Sequence, residues 1–242
     1  MFRHVPNLIT GLRLVLAGVF FGMLGYYQYN GELTTHGDPL WLNIAFVVYL
    51  VALISDFLDG YLARRWKVEG TFGRVVDPFV DKVLVLGSFI FFAGKNFTIP
   101  AVNPDDVPSN VLTITGVVPW MVVLILAREL LVTSLRGVAE AAGVKFGAAF
   151  IGKAKMVTQS VTILVILVYV NYLPWFTQHD YKTPAVWFRN FCIWVTLAVT
   201  VWSGLTYVTK SIALALGNDA KPAPEPTPPS SLSNPVGTSV RH

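Results

Sequence analysis

The chain has 242 residues, of which 54% are hydrophobic and only 13% charged, about half the charged share of a soluble globular protein. That excludes an ordinary soluble enzyme, and the single cysteine, Cys192, excludes an internal disulfide framework and a multi-cysteine metal site. A net charge of +4 is too weak for nucleic-acid binding, which needs a clustered basic face, and fits an anionic membrane surface better.

The opening, residues 1–13, mixes apolar and basic residues and is expected to lie along the cytoplasmic interface. Uncharged runs follow at 14–31, 39–55, 83–94, 107–127, 156–179 and 190–209. A helix rises about 1.5 Å per residue and needs about 20 residues to cross the hydrocarbon, so five of these runs are long enough to span. The third has 12 residues, and it can cross only by taking in the preceding stretch with Asp77, Asp81 and Lys82. Pro78 then fits only near the start of that helix. The expected architecture is an all-α integral membrane protein with six transmembrane helices after an amino-terminal interfacial segment. Fifteen of the eighteen Lys and Arg fall on one side of such a topology, leaving Lys95, Lys182 and Arg189 on the other, so both termini are expected in the cytoplasm. The membrane domain is expected to cover 1–213. Residues 214–242, with six of the fifteen prolines after Lys221, read as a disordered cytoplasmic tail.

The chemistry concentrates between Ser55 and Lys82. Asp56, Asp59, Gly60, Ala63 and Arg64 stand at offsets 0, 3, 4, 7 and 8, one face of a helix continuing the second run. Asp77 and Asp81 are four apart on the third helix. Two carboxylate pairs thus reach the cytoplasmic ends of two helices joined by a short loop. Four carboxylates so placed repel one another unless cations compensate, and all-oxygen ligation selects Mg²⁺, Mn²⁺ or Ca²⁺ over Zn²⁺. A carboxylate-lined cation pathway is the competing reading. It requires acidic residues deep in the spans, where the sequence has none.

The spacing D-x-x-D-G-x-x-A-R-x8-G-x-x-x-D-x-x-x-D, met at Asp56, Asp59, Gly60, Ala63, Arg64, Gly73, Asp77 and Asp81, resembles the signature of the CDP-alcohol phosphatidyltransferases. The blocks at 5–16, 77–83, 126–136 and 151–159 look like the phosphatidylglycerophosphate-forming branch of that family, with Phe79 and Val80 standing where smaller residues are expected.

The resemblance implies a six-helix fold, often homodimeric, with a two-metal site facing the cytoplasm of a bacterial inner membrane. It implies transfer of the phosphatidyl group of CDP-diacylglycerol to glycerol 3-phosphate, giving phosphatidylglycerophosphate and CMP. Phosphatidylglycerol and an inositol phosphate are the alternative acceptors. By position, Asp56, Asp59, Asp77 and Asp81 are the metal ligands for two Mg or Mn ions, and Asp81 is also the general base. Asp56, Gly60, Ala63, Arg64 and Gly73 form the donor-nucleotide pocket, with Asn7, Thr10 and Arg13 approaching from the amino-terminal segment.

The acceptor pocket is read from charge. The phosphate of glycerol 3-phosphate needs cationic donors set apart from the metals. Arg128 and Arg136, eight apart near the end of the fourth span, and Lys153, with Lys155, at the start of the fifth meet that need. Gly18 and Gly22 form a GxxxG pair that suits a helix-packing face. His4, His36, His179 and His242 have no partners at ligand spacing.

Overall fold

The computed structural model describes residues 5–29, 39–66, 71–98, 113–141 and 150–215, without the side chains of 5–10, 39, 57–66, 71–78, 81, 140, 150–151 and 213–215. The expected disordered tail and the side chains of Asn7, Thr10, Asp59, Gly60, Ala63, Arg64, Gly73, Asp77 and Asp81 therefore lie outside the described residues.

Six helices carry the described chain: α1 (Val5–Tyr26), α2 (Pro39–Trp66), α3 (Thr71–Phe92), α4 (Pro119–Ala141), α5 (Phe150–Gln178) and α6 (Lys182–Ala215). Between α3 and α4 sits one 3₁₀ turn, Lys95–Phe97. Two helices contain stretches long and apolar enough to cross a membrane, Gly152–Gln178 and Lys182–Ile212. Large apolar side chains such as Trp187, Phe191, Trp194 and Trp202 point outward from α6, as expected where lipid is the solvent. The molecule is an all-helical membrane protein.

The helices close into a ring in the order α1, α2, α5, α6, α4, α3, with α3 also reaching across to α5. The core runs down the middle through Phe20, Tyr49, Phe89, Phe92, Ile163 and Leu167. The ring of Phe20 lies 5.3 Å from that of Tyr49. Polar side chains join α5 to α6: Thr162 and Thr196 pair at 2.8 Å, and Thr196 donates to the Thr158 carbonyl at 3.1 Å. In an apolar surrounding such bonds fix helix register. The glycine that brings α1 against a neighbour is Gly87 of α3, where a Cβ would stand 2.3 Å from the Phe21 ring. Gly18 and Gly22 face open space among the described residues, so none of these packs on the expected GxxxG face.

Four boundaries differ from the sequence expectation. Among the described residues no break sets an interfacial segment off from the first helix, because α1 runs unbroken from Val5 through Arg13 to Tyr26. The third helix takes in the polar stretch as expected, but Pro78 is its eighth residue, not part of its first turn. Pro78 therefore removes the N–H that the Arg74 carbonyl would take in a regular helix. The fourth helix starts at Pro119 and not near 107, and it ends at Ala141, so Arg128 and Arg136 lie inside it. The sixth starts at Lys182, with Arg189 inside it.

The end of the bundle remote from the carboxylate motif is tied down by hydrogen bonds. Asn96 Nδ2 donates to the carbonyl of Gly25 at 2.8 Å, closing the end of α1. The Thr115 hydroxyl donates to the Phe92 carbonyl at 2.7 Å. Arg189, buried and stacked 4.5 Å over the Tyr169 ring, donates from Nη1 to the Ile114 carbonyl at 2.6 Å. Gly116 makes this closure possible with a φ of +74°, and a Cβ there would stand 2.9 Å from Arg189 Nε. Gly116→Ala combines left-handed strain with that clash and is expected to cost about 2 kcal/mol. A lowered thermal unfolding midpoint in detergent checks this, and an unchanged midpoint would refute the closure's contribution.

Candidate active site

α2 and α3 are joined by the four residues 67–70. Asp59 is seven residues before the end of α2 and Asp77 six after the start of α3, so both lie within roughly 11 Å of that connection along their helices. Asp56 is the carboxylate of the motif whose side chain is described. Its Oδ1 lies 2.8 Å from Nη1 of Arg13, whose side chain is 1% exposed against 25% for Asp56. The ion pair joins α1 to α2 at the level of the motif and sets Arg13 beside Asp56. Among the described residues no three His, Cys, Asp or Glu side chains group as a metal site, since Asp56 is the one motif carboxylate among them. Its donor chemistry fits a hard divalent cation: an oxygen ligand, partly exposed, with its orientation fixed by a bound guanidinium.

A second polar feature lies directly beside the motif. A cavity of about 210 Å³ opens between α3, α4 and α5, lined by Lys82, Val85, Leu86, Glu129, Gly152, Lys155, Met156 and Gln159. Lys82 follows Asp81 in sequence, so the cavity begins one residue from the last carboxylate of the motif. Lys82 Nζ donates to Thr133 Oγ1, and the Thr133 hydroxyl donates to the Glu129 carbonyl at 2.7 Å. Glu129, buried, accepts on Oε1 from Arg128 Nη1 at 2.9 Å and from Lys155 Nζ. Arg128 also donates to Ser203 of α6, and its guanidinium lies 5.8 Å from the Tyr207 ring.

These contacts sort the expected acceptor residues. Arg128 is buried behind the cavity wall, held by Glu129, Ser203 and Tyr207. Arg136 is exposed but reaches the same tyrosine, donating to its hydroxyl at 3.3 Å. That hydroxyl is also 3.3 Å from where a Cβ on Gly152 would stand, so Arg136 borders the cavity through Tyr207. Lys153 is exposed and does not line the cavity, whereas Lys155, two residues on, does. Sequence reasoning missed Glu129, Ser203 and Tyr207 as parts of one network. The available signal was the i, i+4 spacing of Ser203 and Tyr207 within the uncharged run 190–209.

The family model for CDP-alcohol phosphatidyltransferases matches residues 3–202. The chain belongs to the CDP-alcohol phosphatidyltransferase family. Its eight-residue motif and the basic cavity both fall within the matched segment, and so do the first five helices and most of the sixth. The family member is thus an enzyme of phosphatidyl or related phosphoalcohol transfer. A Bacillus subtilis protein named CDP-diacylglycerol–glycerol-3-phosphate 3-phosphatidyltransferase is 28% identical over 210 residues, covering 86% of this chain and 95% of the relative. A Cereibacter sphaeroides protein of the same name is 25% identical, with the same coverage of both chains. An Arabidopsis thaliana protein named as form 2 of that transferase is 29% identical over 73% of this chain and 71% of its own length.

Proposed function

We propose that this phosphatidyltransferase joins the phosphatidyl group of CDP-diacylglycerol to glycerol 3-phosphate, forming phosphatidylglycerophosphate and releasing CMP. The observation that carries the acceptor is the compact cavity beside Asp81, with Lys82 and Lys155 on its wall and Arg128 behind it. Cations placed so suit a small phosphomonoester. An acyl-bearing acceptor such as phosphatidylglycerol would need a wide apolar entrance. The names of the relatives support the same substrates.

The family is divalent-cation dependent, and Asp56, Asp59, Asp77 and Asp81 are the residues that would hold two Mg or Mn ions. When bound, such cations supply charge neutralisation for the donor's pyrophosphate and for the leaving CMP. Asp56 enters this set already oriented by Arg13. Gly60, Ala63 and Gly73 leave room for the nucleotide between α2 and α3, and Arg64 meets a donor phosphate, with Asn7 and Thr10 contributing from α1. Lys82 and Lys155 bind the acceptor phosphate and so bring its primary hydroxyl towards Asp81. Asp81 takes the hydroxyl proton as the oxygen attacks the phosphorus bearing diacylglycerol. The new P–O bond forms as the bond to the CMP phosphate breaks, and CMP leaves with that electron pair.

In this reading all six helices cross a bacterial inner membrane, both termini and the site face the cytoplasm, and the enzyme works as a homodimer. Residues 1–213 form the catalytic membrane domain and 214–242 a flexible tail. The test follows CMP release by purified protein with CDP-diacylglycerol and Mg²⁺ against glycerol 3-phosphate, phosphatidylglycerol, inositol 1-phosphate or no acceptor. Release is expected with glycerol 3-phosphate alone, and release only with another alcohol would overturn the acceptor. In the same assay Lys155→Met should raise the glycerol 3-phosphate KM about tenfold with little change for CDP-diacylglycerol. An unchanged acceptor KM would remove the cavity from acceptor binding.

A further inference from the structure

Among the described residues that line the cavity, Glu129 is the one carboxylate, and it is buried. A carboxylate beside a phosphate site opposes binding unless its charge is already committed. Here it is committed twice on one oxygen, to Arg128 from its own helix and to Lys155 from α5. Lys82 of α3 ties to the same turn of α4 through Thr133 and the Glu129 carbonyl. Three helices therefore bring three cations around one acidic residue, two onto its carboxylate and Lys82 onto the neighbouring Thr133. Their charges sum to +2, which a phosphomonoester dianion neutralises. A phosphodiester would leave one positive charge unmatched, and a neutral polyol two. Without Glu129 the sum is +3, and like charges inside a helix bundle push one another apart. An ammonium carries three N–H donors, so the bond to Glu129 fixes Lys155 in direction and leaves donors for phosphate oxygens.

We infer that Glu129 is a positioning residue for the acceptor: it holds Lys155 on the cavity wall and sets the cavity's charge to select a phosphomonoester dianion. The inference rests on the cavity being the acceptor-phosphate site. It separates two roles that one residue type rarely combines, since Glu129 acts on the substrate only through its cationic neighbours.

The experiment measures CMP release by the purified full-length enzyme, varying each substrate in turn. Glu129→Gln should raise the KM for glycerol 3-phosphate about tenfold while moving the CDP-diacylglycerol KM less than about twofold. Glu129→Asp, which keeps the charge on a shorter arm, should recover most of that loss. In a Lys155→Met background, Glu129→Gln should add less than about twofold, because its effect passes through Lys155. If Glu129→Gln does not fold, Glu129→Asp and the Lys155→Met/Glu129→Gln double variant carry the test. An acceptor KM unmoved by Glu129→Gln, with Lys155→Met still raising it, overturns the positioning role and leaves the cavity as the acceptor site. Equal increases for both substrates, or no rescue by Glu129→Asp, reduce Glu129 to a structural ion pair. No effect of Lys155→Met removes the cavity reading, and the role of Glu129 with it.

Discussion

Asp81→Asn is expected to lower kcat by about 10³, the scale of a lost general base, while CDP-diacylglycerol still binds. The substitution keeps the size of the side chain and one of its oxygens but removes the proton-accepting charge. Asp81 directly precedes Lys82, which lines the basic cavity, so under the proposed function the base is next in sequence to a cation proposed for the acceptor phosphate. Single-turnover CMP release and equilibrium binding of CDP-diacylglycerol separate the two effects. Turnover within about tenfold of the parent enzyme would place the base elsewhere.

Withdrawing divalent cations with EDTA is expected to stop CMP release completely, and Mg²⁺ or Mn²⁺ to restore it. A readout independent of turnover is available in the Arg13–Asp56 pair. A cation that binds the folded carboxylates raises the unfolding midpoint by mass action. Mg²⁺ should therefore stabilise the parent enzyme in detergent, and Asp56→Asn should blunt that gain. Asp56→Asn also takes away the charge that Arg13, almost wholly buried, is paired with, so its own midpoint should fall by the equivalent of about 3 kcal/mol. Full activity in EDTA, or an equal Mg²⁺ gain in both proteins, would contradict the carboxylate cation site.

The helix count and the family were legible in the sequence because each rests on a local pattern. A run of apolar residues needs no partner to be recognised, and the eight-residue motif is fixed by spacing alone. The boundaries were less legible, for one physical reason. Cutting runs at charged residues assumes that a charge marks the end of a span, yet Arg13, Arg128, Glu129 and Arg189 all lie inside helices because each is buried against an ionic or hydrogen-bonding partner. The start of α4 failed in the opposite direction. Residues 113–118 are uncharged but are not helical, because Thr113 and Thr115 spend their hydroxyls on backbone carbonyls and Gly116 adopts a left-handed turn. Lys153 and Lys155 could not be told apart before the helix phase was known: two positions along α5 turn one lysine outward and the other onto Glu129.

The ring order of the helices bears on how the molecule is built. Residues 5–92 supply α1 to α3 with the whole carboxylate motif, whereas the basic cavity beside α3 is closed by α4 and α5 from the second half of the chain. α4 carries Arg128, Glu129 and Arg136 in its 23 residues, a costly load for a lone helix in lipid. Lys155 reaches Glu129 from α5, while Ser203 and Tyr207 meet Arg128 from α6. The charges of α4 therefore gain their partners only once the last two helices have been made, so that nascent chains cut short before α6 should be recognised as unfinished by the cell's membrane proteases.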